Sequence, residues 1–140
     1  MDTCRIILVD DDSDETELFT HALEAAHKVL IQAVCRNYQD LLLVLEEGCP
    51  DLILCDLKMP KINGIEVREG LQTWDKYKDI PFVLISGVSP PPSLTKQAAE
   101  HDIKAILIKP YSNSGYSQLS EQLVEICLNE SMEDAAVSAT

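Results

Sequence analysis

The chain has 140 residues, of which 46% are hydrophobic and 25% charged, a mixture typical of one globular domain with a self-sufficient core. Its 24 acidic and 11 basic residues give a net charge of −13, which argues against binding to nucleic acid or to anionic lipid. No apolar run approaches the roughly 20 residues of a membrane span, and the first residues lack the basic and apolar regions of a signal peptide, so a cytoplasmic protein is predicted.

The first strand and helix are predicted near the amino terminus. The apolar run Arg5–Val9 has the length and composition of a buried strand. It is followed by an amphipathic helix over Asp14–Ala26, with Asp12 or Ser13 as its N-cap. Five apolar residues are predicted to share one face of this helix: Leu18, Phe19, Ala22, Leu23 and Ala26.

The second strand differs from the others. It covers Val29–Cys35 and carries the polar Gln32 at its centre, whereas the other apolar runs are almost uninterrupted. Strands buried on both faces are apolar throughout, so we expect this strand at an edge of the sheet. The helix that follows, Tyr38–Glu47, ends at Gly48, which suits a C-cap.

Three more strands and three more helices complete the pattern. The strands are Leu52–Cys55, Phe82–Ile85 and Ala105–Ile108. The helices are Ile65–Trp74, Leu94–His101 and Ser117–Leu128. Alternating strands and helices predict an α/β fold with a parallel sheet. Residues 1–128 are predicted to form the domain and residues 129–140 a flexible C-terminal tail.

Cysteine and histidine residues give no metal or disulfide pattern. The five cysteines lack a C-x-x-C pair and are interpreted as small buried hydrophobes: Cys4, Cys35, Cys49, Cys55 and Cys127. The three histidines share no spacing with them and are interpreted as surface or helix residues: His21, His27 and His101.

Polar residues stand where four of the predicted strands end. Asp10 and Asp11 follow the first strand, Asp56 follows the third, Ser86 closes the fourth and Lys109 follows the fifth. The carboxyl ends of parallel strands meet at one rim of the sheet, where ligands bind. Each residue taken alone has a structural explanation, such as helix capping or a solvated charge. Their joint placement favours a functional site.

The residue types indicate phosphoryl transfer. Carboxylates crowded into one crevice repel one another unless they take up protons or a cation. Oxygen ligands without sulfur or imidazole favour Mg²⁺, and an ammonium and a hydroxyl add groups that neutralise transferring oxygens. One carboxylate is then available as nucleophile. Asp56 is favoured because the central third strand places it between the acid pair and the Ser86–Lys109 pair.

Four sequence motifs resemble the receiver domain of two-component response regulators, of the single-domain, stand-alone type. They are "ILVDDD", "LILCDLKMP" with Gly64 just beyond, "FVLISG" and "ILIKPY", and the similarity covers residues 5 to 128. The resemblance implies a flavodoxin-like, doubly wound sheet of five parallel strands in the order 2-1-3-4-5, with five helices. It also implies that Asp56 is the phosphoacceptor.

The resemblance also assigns roles at the rim. Asp11 and Asp56 would ligate Mg²⁺ together with the main-chain carbonyl of Lys58, and Asp10 would act mainly through a bound water. Ser86 would hold a phosphoryl oxygen and Lys109 another.

Four further features follow from the family's usual pattern. The Lys109–Pro110 bond would be cis, and the small Gly87 would leave room for the phosphoryl group. Ile106 stands where the family usually has an aromatic switch residue, so ring rotation is not expected here. Two positions that tune phosphoryl loss in the family are occupied by Lys58 and Val88.

The function implied is that of a signalling switch and not of an enzyme acting on other substrates. A sensor histidine kinase or a histidine phosphotransfer protein would phosphorylate Asp56, and the protein would catalyse only its own phosphotransfer and dephosphorylation. Because the chain ends soon after the fifth helix, no attached output domain is expected. The signal would leave by protein contact, through the fourth helix, fifth strand and fifth helix.

Other protein classes fit less well. A phosphatase or dehalogenase with an aspartate nucleophile typically has a second acid two residues on, where this chain has Lys58. A flavodoxin-like FMN binder needs a Ser/Thr/Gly-rich phosphate loop after the first strand, where three acids stand instead: Asp10, Asp11 and Asp12. A receiver-like interaction module that signals without phosphorylation remains as the alternative.

Overall fold

Strands and helices alternate along the residues that the computed structural model describes, 3–25 and 28–139. In chain order they are β1 Cys4–Val9, α1 Ser13–Glu24, β2 Val29–Cys35, α2 Tyr38–Glu47, β3 Leu52–Asp56, α3 Gly64–Gln72, β4 Phe82–Ser86, α4 Pro92–Glu100, β5 Ala105–Ile108 and α5 Asn113–Ala139. No helix in this part of the chain is long and apolar enough to cross a bilayer.

The five strands form one sheet in the order β2-β1-β3-β4-β5, and all neighbouring pairs are parallel. The predicted α/β fold and strand order are confirmed, as is the edge position of the strand that carries Gln32. In the register of the sheet, Asp56 pairs with Ile85 and Ser86 with Ile108. The ends of β3, β4 and β5 therefore lie side by side at one rim.

Helices cover both faces of the sheet, and alternate strand residues point into two apolar clusters. In β1, Ile7 packs into a cluster with α2, α3 and α4, while Ile6 and Leu8 pack into a second cluster with α1 and α5. Residues of β3 are fully buried in the same alternation. Each such side chain stabilises the fold by about 1.5–3 kcal/mol through the apolar area that it removes from water.

Helix α1 begins as predicted but buries fewer residues than predicted. Asp12 is the N-cap, and its side chain accepts hydrogen bonds from the N–H groups of Asp14 and Glu15. Leu18 is 74% exposed, so its predicted place on the buried face is wrong. Phe19 faces the sheet, and a helix turns about 100° per residue, so the preceding side chain points to solvent. Ala26 and His27 lie outside the described residues.

Helix α5 is longer than the predicted Ser117–Leu128. It begins at Asn113, and its backbone continues through Ala139 into the segment expected to be a flexible tail. Residues 117–139 contain neither Gly nor Pro, so no strong helix breaker stands at residue 128. The division of the chain at that residue stays a prediction.

Two cysteines are joined in the structure. Cys4 at the start of β1 and Cys127 in α5 form a disulfide with a Cα–Cα distance of 6.7 Å. The sequence interpretation, which indicated no disulfide, is wrong on this point because a pair 123 residues apart has no local signature. Cys35 and Cys55 are buried thiols as expected, whereas Cys49 is exposed.

Candidate functional site

Three carboxylates meet at the carboxyl ends of β1 and β3. Asp10 follows β1, and its N–H is held by the carbonyl of Cys35 at 2.9 Å. Asp56 is the last residue of β3. Asp10, Asp11 and Asp56 each place a carboxylate oxygen within 4.8 Å of the others. The structure thus brings together the three acids that the sequence placed at this rim.

The environment of Asp10 shows that the positive charge near this cluster does not offset the burial of its carboxyl. Asp10 is only 3% exposed, and burial raises the pKa of its carboxyl to about 7. A hydrogen bond from the N–H of Asp12 at 3.0 Å and the positive charge of Lys109 work against this rise in pKa, while the charges of Asp56 and Glu15 add to it. An anionic pocket with oxygen donors fits a hard divalent cation such as Mg²⁺.

Both carboxylate oxygens of Asp56 are engaged. Oδ1 accepts the main-chain N–H of Lys58 at 3.1 Å, and Oδ2 accepts the Lys109 ammonium at 3.0 Å. Asp56 also opens onto a cavity of about 230 Å³ beside the acid cluster. The cavity is lined by Asp56, Lys58, Ser86, Gly87, Val88 and Lys109. A small anionic group on Asp56 would therefore be next to an ammonium and a hydroxyl.

Gly64 allows the loop after β3 to close tightly over Asp56. Its N–H donates to the carbonyl of Leu57 at 2.9 Å. A Cβ atom at this position would lie 2.8 Å from the carbonyl oxygen of Asp56 and would also clash with the side chain of Leu84. Only glycine fits without a shift of backbone, which explains why glycine follows the "LILCDLKMP" motif.

Ser86 is buried, and its hydroxyl is turned toward its own loop. The hydroxyl donates to the carbonyl of Val88 at 2.6 Å. Its main-chain carbonyl accepts the N–H of Lys109 at 2.8 Å, so the ends of β4 and β5 are locked together. Ile106 is half-buried and packs against the apolar cluster on the α4 side of the sheet. The predicted ammonium therefore contacts Asp56, whereas Ser86 lines the same cavity with its hydroxyl turned toward Val88.

The Lys109–Pro110 peptide bond is trans, so the expected cis bond is wrong. Trans is the lower-energy isomer before proline by about 0.5–1 kcal/mol, and the cis form was implied only by resemblance.

Glu15 is a site residue that the sequence interpretation missed. It lies in the first turn of α1, and its Oε1 accepts a hydrogen bond from the Lys109 ammonium. Burial alone would lower the pKa of Lys109, but the hydrogen bonds to Glu15 and Asp56 outweigh it and raise that pKa. The one sequence signal was an acidic first helical turn, which the helix dipole explains equally well.

Comparison with known proteins identifies relatives over most of the chain. The family model described as response regulator receiver domain matches residues 6–120. A protein-glutamate methylesterase/protein-glutamine glutaminase of Bacillus licheniformis is 29% identical over 102 residues, which are 73% of this chain and 26% of that protein. The polar-differentiation response regulator DivK of Brucella anthropi is 31% identical over 81 residues, 58% of this chain and 64% of DivK. The chain spans about a quarter of the length of several curated relatives that it matches.

Solved structures show the same fold. The phosphorylated cyanobacterial phytochrome response regulator RcpA is 25% identical, with a TM-score of 0.69 over 90% of this chain and 94% of that chain. The chemotaxis protein CheY4 of Vibrio cholerae is 18% identical, with a TM-score of 0.72 over 86% of this chain and 98% of that chain.

Proposed function

Because the chain belongs to the response regulator receiver domain family, we propose that it is a phosphorylation-dependent switch of a two-component system, with Asp56 as the phosphoacceptor. The observation that carries this proposal is the position of the Asp56 carboxylate. It lies in the cluster with Asp10 and Asp11 and also accepts a hydrogen bond from Lys109. Among the described residues, no other carboxylate both belongs to this acid cluster and contacts Lys109.

The chemistry proposed is a direct phosphoryl transfer. A carboxylate oxygen of Asp56 attacks the phosphorus of a phosphohistidine, on a histidine kinase or a phosphotransfer protein, or of a small phosphodonor such as acetyl phosphate. The new O–P bond forms as the bond from phosphorus to the imidazole nitrogen, or to the acetate oxygen, breaks. The leaving group keeps the electron pair, and an imidazole takes a proton from water.

The residues around Asp56 have separate tasks in this reaction. Lys109, 3.0 Å from Asp56, neutralises charge on the transferring oxygens. Ser86 can donate its hydroxyl to a phosphoryl oxygen after leaving the carbonyl of Val88. Loss of the phosphoryl group to water completes the cycle, and we propose no reaction on other substrates.

The acid cluster is assigned to Mg²⁺. Asp11 and Asp56, with the main-chain carbonyl of Lys58, would hold the ion directly, and Asp10 would hold it mainly through a water. A bound ion supplies positive charge that offsets the carboxylates and the phosphoryl oxygens. The buried Asp10, with its pKa raised to about 7, supports this assignment because it is poorly compensated by the chain itself.

The signal is proposed to leave by protein contact on the face formed by α4, β5 and α5. Ile108 is 41% exposed on the edge strand β5, and Tyr111 is 90% exposed just beyond it. The Tyr111 hydroxyl donates to the carbonyl of Gly87 at 3.1 Å, which links this face to the loop after Ser86. We assign the switch to residues 1–128 and treat residues 129–140 as a separate tail segment.

The test is the intact mass of the protein after incubation with acetyl phosphate and Mg²⁺. Wild type should gain the mass of one phosphoryl group, and Asp56→Asn should gain none. The matched control is Asp75→Asn, since Asp75 is a fully exposed carboxylate that pairs with Lys78 at 3.5 Å, and this variant should be labelled like wild type. Equal labelling of Asp56→Asn would refute the site. No labelling of wild type would favour the interaction module that signals without phosphorylation.

A further inference from the structure

Glu15 shares the ammonium of Lys109 with Asp56. Lys109 donates to Glu15 Oε1 and, at 3.0 Å, to Asp56 Oδ2. The Glu15 side chain is 37% exposed, whereas those of Lys109 and Asp56 are 19% and 10% exposed. The pair is therefore partly shielded from solvent, and its attraction is stronger than that of an open surface ion pair.

The start of α1 fixes the backbone from which the Glu15 side chain reaches Lys109. Asp12 accepts the N–H of Glu15 at 3.1 Å, which sets the first turn of the helix. The carbonyl of Ser86 holds the backbone of Lys109 from the other side. Hydrogen bonds thus hold the backbone of both partners of the ion pair, although 94 residues separate them in the chain.

A phosphoryl group on Asp56 would present additional hydrogen-bond acceptors to Lys109. The group carries up to about two negative charges and strong acceptor oxygens. An ammonium has three hydrogens, so every bond that it keeps to Glu15 is one not made to the phosphoryl oxygens. The carboxylate of Glu15 also adds a negative charge near an incoming anion.

We infer that Glu15 is a positioning residue that competes with the phosphoryl group for Lys109 and thereby limits the stability of the phosphorylated state. This inference rests on the proposed function, since it concerns the same phosphoryl site. Glu15 acts through Lys109 and touches no reacting atom in the described contacts. A tether that merely joins α1 to the end of β5 would have no such effect on an anion bound at Asp56.

The test is the affinity of the full chain for beryllium fluoride, a phosphoryl mimic, at saturating Mg²⁺ by calorimetry. Glu15→Gln should bind about three- to tenfold more tightly than wild type, because a neutral amide holds the ammonium less strongly. The gain should shrink at high NaCl, because salt screens a partly exposed ion pair, whereas a structural role would be insensitive to salt.

Asp14→Asn is the matched control. Asp14 is exposed, stands one residue earlier in the same helical turn and carries the same charge, and its N–H donates to the Asp12 carboxylate. We expect the affinity of Asp14→Asn for beryllium fluoride to remain within about twofold of the wild-type affinity, as for an exposed surface charge. Equal affinities of Glu15→Gln and wild type would overturn the inference, as would an equal gain in Asp14→Asn. If wild type itself binds no beryllium fluoride, the proposed function fails and this inference fails with it.

Discussion

The two ends of the sheet differ in how the chain compensates their buried charges. At the end away from the site, Arg68 is buried, and its guanidinium donates to the carbonyls of His101 and Ile80 at 3.0 and 3.2 Å. It also lies 5.7 Å from the centre of the Phe82 ring. Burial lowers its pKa, but its hydrogen bonds are supplied by the fold itself.

At the rim that carries the site, carboxylates outnumber ammonium groups among the described contacts. Glu15 and Asp56 pair with the ammonium of Lys109, and Asp10 and Asp11 lie in the acid cluster with Asp56. A buried charge that serves the structure has its partners built into the chain. A charge cluster that remains short of partners is suited to ligands that arrive later. The difference between the two ends therefore distinguishes a charge that the fold itself compensates from charges that remain available to a ligand.

The largest effect is expected from removal of the buried guanidinium. Arg68→Met keeps an apolar stem but leaves the Ile80 carbonyl without its donor and weakens the hold on the His101 carbonyl. We expect a loss of about 3 to 5 kcal/mol in the free energy of unfolding, measured in urea. Lys78→Met is the control, because Lys78 is half exposed and pairs with the neighbouring Asp75, and this variant should lose less than about 1 kcal/mol. Equal losses in the two variants would contradict the contrast between the ends.

At the rim, removal of a charge should stabilise the metal-free protein. The pKa of Asp10 is raised from 3.8 to about 7, so the folded state binds more protons than the unfolded state between these two values. Stability from this group is therefore present at low pH and is lost as the pH rises toward 7. Asp10→Asn should match wild type near pH 4 and exceed it by about 2 to 4 kcal/mol at pH 8 in a metal chelator.

Unfolding curves at several pH values, with and without Mg²⁺, measure this difference. Added Mg²⁺ should reduce it, because the ion stabilises the wild-type carboxylates. An advantage of Asp10→Asn that is the same at pH 4 and pH 8 would show that the charge of Asp10 is not its cause.

The smallest effect expected is a local rearrangement on binding of a phosphoryl mimic. Ile106 is β-branched and half-buried, so it follows a shift of Ser86 less freely than an aromatic ring would. Prolines restrict the loop that leads into α4. On addition of beryllium fluoride, amide chemical shifts should change mainly at residues 86–94. Shifts near His101, at the end of the sheet away from the site, should change little. Large changes throughout residues 103–128 beside a quiet loop would rule out this form of switching.

The fold could be predicted because its information is local. Uninterrupted apolar runs mark strands buried on both faces, and Gln32 marks the edge strand. The polar residues directly after those runs then locate the rim, so Asp10, Asp56 and Lys109 follow from chain position alone. A parallel sheet brings strand ends together whatever the loops between them do.

What could not be predicted depends on contacts between distant segments. Glu15 reaches Lys109 only after α1 packs on the sheet, and the Cys4–Cys127 pair has no spacing pattern. Leu18 fits an apolar stripe in sequence, yet its direction is set by how Phe19 docks. Helical periodicity fixes which residues are neighbours and leaves the orientation of the helix to tertiary packing.

The unequal burial of the cysteines has a consequence for chemical labelling. Thiolates are the reactive form, and burial, with a contribution from the charge of Asp40, raises the pKa of Cys35 to about 12. Burial likewise raises the pKa of Cys55, the residue before Asp56. Cys49 is exposed, just after α2 and away from the rim. An alkylating fluorophore or spin label should therefore attach at Cys49 first, which provides a reporter on the native chain without any substitution.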